Sequence, residues 1–147
     1  MSAKLLFDDK MDAEAAGAAL AKWVAGLGFR VRPMSPTDCF GLRSRFSYAV
    51  KMAGTPEMRR IVFLAGFNGV PNHRDPDGRV RLANRINLDY NICKAAFDDE
   101  GTLYLEHVLH VEGELTSTLF SSFLIKADEN ITWLSQQYKA EFDEMIA

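Results

Sequence analysis

From Phe40 to Met52 the large apolar residues fall on even positions: Phe40, Leu42, Phe46, Tyr48, Val50 and Met52. Arg43, Arg45, Ser47 and Lys51 hold odd ones. Side chains on a strand alternate between two faces, so one face of this segment is buried and the other is wet. An antiparallel sheet covered on one side meets that demand. The pattern returns further on, where Leu103, Leu105, His107, Leu109 and Val111 share one face and Tyr104, Glu106, Val108 and His110 the other.

Other elements can be read around these two strands. AEAAGAALAKWVAG is rich in alanine, the best helix former. Leu20, Trp23, Val24 and Leu27 make one apolar stripe on it, with Asp9 or Asp12 as a cap and Gly26 or Gly28 as a stop. The first helix is therefore expected from Asp12 or Ala13 to Gly26. FRVRP, 29–33, reads as a short strand, closed by Pro33, Pro36 and the turn formers Ser35 and Asp38. After the turn Ala53-Gly54-Thr55-Pro56, Met58 to Phe67 reads as a third strand, apolar on both faces at its centre. NGVPNHRDPDG, 68–78, reads as a solvated loop. His73, Asp75 and Asp77 are possible ligands there, but the calcium-loop pattern with its closing glutamate is missing, so no metal is expected.

A helix is expected from Val80 to Tyr90, with Asn84, Asn87 and Asn91 along one side. Their amides can satisfy backbone groups where the helix hands over to a strand, or they can recognise a ligand; the first reading is preferred. Strands are expected at Ile92 to Phe97 and Thr102 to Val111, joined by the tight turn Asp98-Asp99-Glu100-Gly101. His107 and His110 point to opposite faces of the second of these, so they cannot share one ion, and His107 is expected to be a hydrogen-bonded core residue. Thr116 can cap a last helix that continues to Met145, about 45 Å at 1.5 Å per residue. Trp133, Tyr138 and Phe142 on that helix can outrun what one small domain covers, which makes them candidates for a dimer interface.

The expected fold is α+β: a five-stranded antiparallel sheet in the order α-β-β-β-α-β-β-α, with a long C-terminal helix, in a single domain over 1–147. This order, with Leu82-Ala83-Asn84-Arg85-Ile86-Asn87 ahead of a strand, resembles the YbjN family of bacterial sensory transduction regulators. Asn84, Asn87, the acidic-Gly turn Asp98 to Gly101, the strand Leu103 to Gly113 and the cap Thr116 carry the resemblance. Glu114 departs from it, standing where a second glycine is expected. The resemblance implies a fold like that of type III secretion chaperones, commonly dimeric, in a bacterial protein that regulates or binds other proteins. It brings no catalytic residues with it.

Composition narrows the function. With 48% hydrophobic and 25% charged residues the 147-residue chain can bury a real core. A net charge of −3 gives no bulk attraction to nucleic acid. Arg79, Arg81 and Arg85 make a local basic spot without the aromatic residues of a stacking platform. Neither a membrane-spanning run nor the apolar segment of a signal peptide is present in the sequence. Cys39 and Cys93 lie far apart with no CxxC, which suits a reducing compartment such as the cytoplasm. No nucleophile elbow, P-loop or HExxH appears, and Cys93 reads as a small buried hydrophobe, so no enzyme and no cofactor are expected.

The charge is uneven: residues 98–147 hold 11 acidic and 2 basic residues, and residues 1–97 hold 9 and 15. The preferred reading is that the halves neutralise each other in one domain or across a dimer; the other is that one half offers a charged face to a partner. Two functions fit. One is a homodimeric, chaperone-like module that binds a protein partner on the strand face of Arg43, Arg45 and Lys51. The other is a small-ligand sensor, its pocket between the sheet and the helix of Asn84 and Asn87.

Overall fold

The computed structural model describes residues 3–34, 39–71, 73–89 and 93–147. The expected turn at Ser35, Pro36 and Asp38, and Tyr90, Asn91 and Ile92 with it, lie outside the described residues. Twelve elements follow one another: β1 Lys4–Leu6, α1 Ala13–Gly26, β2 Arg30–Pro33, β3 Cys39–Arg43, β4 Ser47–Ala53, β5 Arg59–Phe67, α2 Pro76–Asp89, β6 Lys94–Phe97, β7 Leu103–Val111, β8 Glu114–Thr116, α3 Ser117–Gln137 and α4 Lys139–Met145. The main sheet has six antiparallel strands in the order β2-β3-β4-β5-β7-β6, and β1 pairs with β8 in a separate ribbon.

The first helix lies where the sequence puts it. The Asp12 side chain accepts from the Ala15 N–H at 2.8 Å and caps its start. The Thr116 hydroxyl caps α3 in the same way, accepting from the Leu119 N–H at 3.1 Å. Four expectations change. The segment from Phe40 to Met52 is a hairpin, β3 and β4, with Arg43 opposite Ser47. This gives the sheet six strands where five are expected. The ribbon of β1 and β8 uses a lead-in segment and a turn that carry no alternation long enough to read. The second helix starts at Pro76, because Asp75 caps it by accepting from the Gly78 N–H at 2.9 Å and proline suits the first helical position.

The long last helix breaks at Tyr138 (φ −111°, ψ 38°), and α4 turns back toward α2. The Tyr138 hydroxyl donates to Asp89 at 2.7 Å, the Arg85 guanidinium lies 4.9 Å from the ring centre, and Arg85 pairs with Glu141 at 2.8 Å. Beyond the break Phe142 and Met145 are buried, 8% and 5% exposed.

The core sits between the helices and one face of the sheet. Phe40, Val50, Phe63 and His107 form one row across that face. Phe63 is fully buried, with ring contacts to Tyr48, Phe120 and Phe123. A polar layer joins this face to α3. Asp128 is 5% exposed and accepts from the Ser44 hydroxyl at 2.5 Å, the Tyr48 hydroxyl at 2.7 Å and the Arg45 N–H at 3.3 Å. His107 Nε2 meets Asn130 Oδ1 at 2.8 Å, both side chains buried, as expected of a core histidine. At the sheet's end the buried Arg59 donates to the carbonyls of Asp8 and Met11, each at 2.8 Å, and fixes the segment before α1.

Burial lowers the pKa of His107, against weaker opposing effects of Asn130 and Asp128. The native state then resists a proton that the unfolded chain takes up below about pH 6.5, so stability is lost as pH falls through that value. In urea titrations the wild type is expected to lose at most about 1.4 kcal/mol per pH unit from this residue below pH 6.5. The His107→Gln variant should lack that component. Parallel curves for the two proteins between pH 7.5 and 5.5 would contradict it.

Candidate functional site

The cross-strand pairs also define the sheet's other face. Arg32, Gly41, Ala49, Leu64, Glu106 and Lys94 form one row across all six strands. Beside it run Cys39, Lys51, Val62 and Val108, and then Ala53, Arg60 and His110. On the opposite flank Arg30 stands against Arg43, and Tyr104 stands between Gly66 and Ala96. Of these residues Gly41 alone is buried, and the Arg32 side chain covers it. A Cβ at Gly41 would lie 2.8 Å from Arg32 Cγ, so glycine lets that side chain lie flat on the sheet. No described helix covers this face, while α1 and α3 occupy the other.

The face has a half-buried floor of Val62, Leu64, Val108 and Tyr104. Around it stand six exposed cations, Arg30, Arg32, Arg43, Lys51, Arg60 and Lys94, against one carboxylate, Glu106. Among the described residues none of the six forms an ion pair; the five pairs present lie elsewhere. Arg43 does donate to the Ser47 hydroxyl at 2.7 Å. An open groove of about 370 Å³ runs between Arg30, Arg32, Arg43 and Ser47. Of the 11 acidic residues at 98–147, Glu106 alone stands on these strand rows.

The residues singled out from sequence divide among several places. Arg43 and Lys51 lie on the open face. Arg45 does not: it sits in the β3–β4 turn and donates to the Thr132 hydroxyl of α3 at 3.1 Å. The asparagines separate too. The Asn87 amide donates to the Ala95 carbonyl at 3.0 Å and accepts from the Ala95 N–H at 2.7 Å. It therefore takes up both outward-facing groups of that edge residue, the role in backbone satisfaction expected for this helix. Asn84 is exposed on α2. A hollow of about 590 Å³ adjoins Asn87, Lys94 and Tyr104, but the Asn87 amide is already engaged with the backbone.

On the last two helices Trp133 is 43% exposed, whereas Tyr138 and Phe142 are 2% and 8% exposed. Those two do not outrun the fold, because α4 folds back over α2. Arg30 and Arg32 on β2, Arg60 and Lys94 carry no signal of a shared face in the sequence. Only the cross-strand register shows that they share a face.

The buried phenol and thiol of the core are held neutral. Burial, helped by Asp128, drives the Tyr48 phenol far above its usual value, and burial pushes the Cys93 thiol up to about 11. A thiol that stays protonated at neutral pH is a poor nucleophile.

The profile of the family described as "YbjN: Putative bacterial sensory transduction regulator" matches residues 16–132. A crystal structure of YbjN from E. coli, described as "a putative transcription regulator", superposes with a TM-score of 0.55. The two are 18% identical over 88% of this chain and 94% of that one, a likeness that shows the fold. No curated protein matches the chain. No described helix is long and apolar enough to cross a membrane.

Proposed function

The chain belongs to the YbjN family of bacterial regulators, and from that premise we infer that it is a cytoplasmic, non-enzymatic protein-binding module. Its uncovered sheet face takes an acidic, extended segment of a partner protein. One observation carries this reading: six cations that form no ion pair among the described residues ring an apolar floor on a sheet face that no described helix covers. Acidic side chains would meet the rim and apolar ones the floor, with the edge strand β2 beside them for added-strand pairing. The floor favours protein over nucleic acid, since Tyr104 is its one aromatic residue and bases need several stacking surfaces.

The module is a homodimer in this reading, and its two copies do not meet through the sheet face. A two-fold contact there would set six cations against six. Leu119, Ile125 and Trp133 are exposed on α3, 45%, 55% and 43% respectively, and in this reading supply the apolar contacts for self-association.

Photo-cross-linking in the native bacterium tests both surfaces. A photoreactive amino acid at Leu64 is expected to capture a different protein. The same group at Trp133 is expected to give an adduct of about twice the chain's 16.5 kDa. A heterologous adduct from Trp133 with none from Leu64 would move the partner site to α3 and overturn the reading.

A further inference from the structure

Three donor side chains from distant parts of the sequence meet beside the start of α2. His73 and Asp75 lie in the loop before that helix and Glu144 in the last turn of α4, with one ligand atom of each within 4.8 Å of the others. We propose that His73, Asp75 and Glu144 bind one divalent first-row transition-metal ion, of which Zn²⁺ is the simplest case.

The geometry is set by the backbone. The Val70 N–H donates to the Met145 carbonyl at 2.9 Å, the Ala147 N–H donates to the Asn68 carbonyl at 2.8 Å, and Gly69 bridges Ile146. The loop and the chain's last turn are thus held together without help from the three side chains. Asp75 is oriented by its cap bond from the Gly78 N–H through Oδ1, at 2.9 Å. Its Oδ2 lies over Gly78, where a Cβ would stand 2.3 Å away, so glycine makes room for that oxygen. The carbonyl of His73 accepts from Arg79 at 2.7 Å, which fixes the histidine's backbone.

His73 supplies the second observation. Its side chain is 13% exposed, its Nε2 lies 3.5 Å from Glu144 Oε1, and its Nδ1 is buried with no hydrogen-bond partner among the described residues. The imidazole thus presents Nε2 to Glu144 as the candidate donor, with Nδ1 on the other side of the ring. An ion about 2.0–2.2 Å from nitrogen and oxygen ligands sets neighbouring donors roughly 3.0–3.4 Å apart. The His73–Glu144 distance is nearly that already, and Glu144, 60% exposed, can turn toward an ion held between His73 and Asp75, whose donors lie within 4.8 Å of each other.

One imidazole and two carboxylates suit a borderline ion; calcium and magnesium prefer oxygen alone. Two negative charges balance a divalent one. Arg81 competes at 3.8 Å from Asp75 Oδ2, but its side chain is 69% exposed and can withdraw into water. A hollow of about 230 Å³ beside Asp75 and Glu144 gives the ion and its remaining water ligands a way in. A bound ion would clip the end of α4 to the loop that starts α2.

The test uses the full chain stripped with a chelator and titrated with Zn²⁺. Calorimetry is expected to give one ion per chain, and Tm to rise by roughly 5–10 °C at free Zn²⁺ about a hundred times Kd. Both should be lost in Glu144→Gln and His73→Gln and kept in His110→Gln and Cys39→Ser. Glu144→Gln lies at the surface, so its metal-free Tm should equal that of the wild type, which separates lost ligation from lost folding. No stoichiometric binding, or binding that survives Glu144→Gln, would overturn the proposal.

Discussion

Replacing Asp128 with alanine is expected to lower the unfolding free energy by roughly 3–5 kcal/mol, the largest loss from any single side chain of the polar layer. The carboxylate accepts from two hydroxyls and one backbone N–H, and at 5% exposure water cannot take its place. Alanine would strand the Tyr48 hydroxyl in the core, together with the backbone donor of Arg45. It would also release the β3–β4 turn from α3, since Ser44 and Arg45 both reach the helix through this residue. Asp128→Asn keeps an oxygen acceptor and should cost about 1–2 kcal/mol. Tyr48→Phe removes one bond and leaves the carboxylate two donors, so about 1–2 kcal/mol is expected there too. Urea denaturation of the three variants checks the order. A loss below about 1 kcal/mol for Asp128→Ala would mean that the layer orients the turn without stabilising the fold.

Much of the fold could be read from local pattern, and what could not be read has physical causes. The capped helix at Ala13–Gly26 and the strand at Arg59–Phe67 follow from stripe, cap and alternation. The hairpin inside Phe40–Met52 does not. Its three-residue connection pairs Leu42 with Tyr48 and Phe40 with Val50, even positions with even, so the alternation runs through the turn unbroken. Ser44-Arg45-Phe46 also has no glycine, proline or asparagine to mark it. The break at Tyr138 is equally silent, because an amphipathic stripe continues through it and only packing on Arg85 and Asp89 requires the bend.

The sites were legible in part, for the same reason. Alternation placed Arg43 and Lys51 on a wet face correctly, yet placed Arg45 there too because the turn was hidden. The Asn87 contact to a strand edge could be read from the chemistry of amides. His73, Asp75 and Asp77 are visible as possible ligands, but without the calcium-loop pattern they read as a solvated loop. Glu144 lies about seventy residues further on, and no spacing rule connects it to them.

The open sheet face is the centre of this account, and charge reversal tests it most directly. The protein captured from position 64, once purified, is titrated against the wild type and against Arg32→Glu, Arg43→Glu, Arg60→Glu combined. An exposed ion pair contributes up to about 1 kcal/mol, and reversal replaces attraction by repulsion of similar size. Three reversals should therefore weaken binding by roughly a hundredfold or more. The wild-type affinity should fall with salt and be indifferent to nuclease. All three residues are exposed and none forms an ion pair with a described residue, so the variant's Tm should stay within a few degrees of the wild type. A folded triple variant that binds as tightly as the wild type would contradict the account.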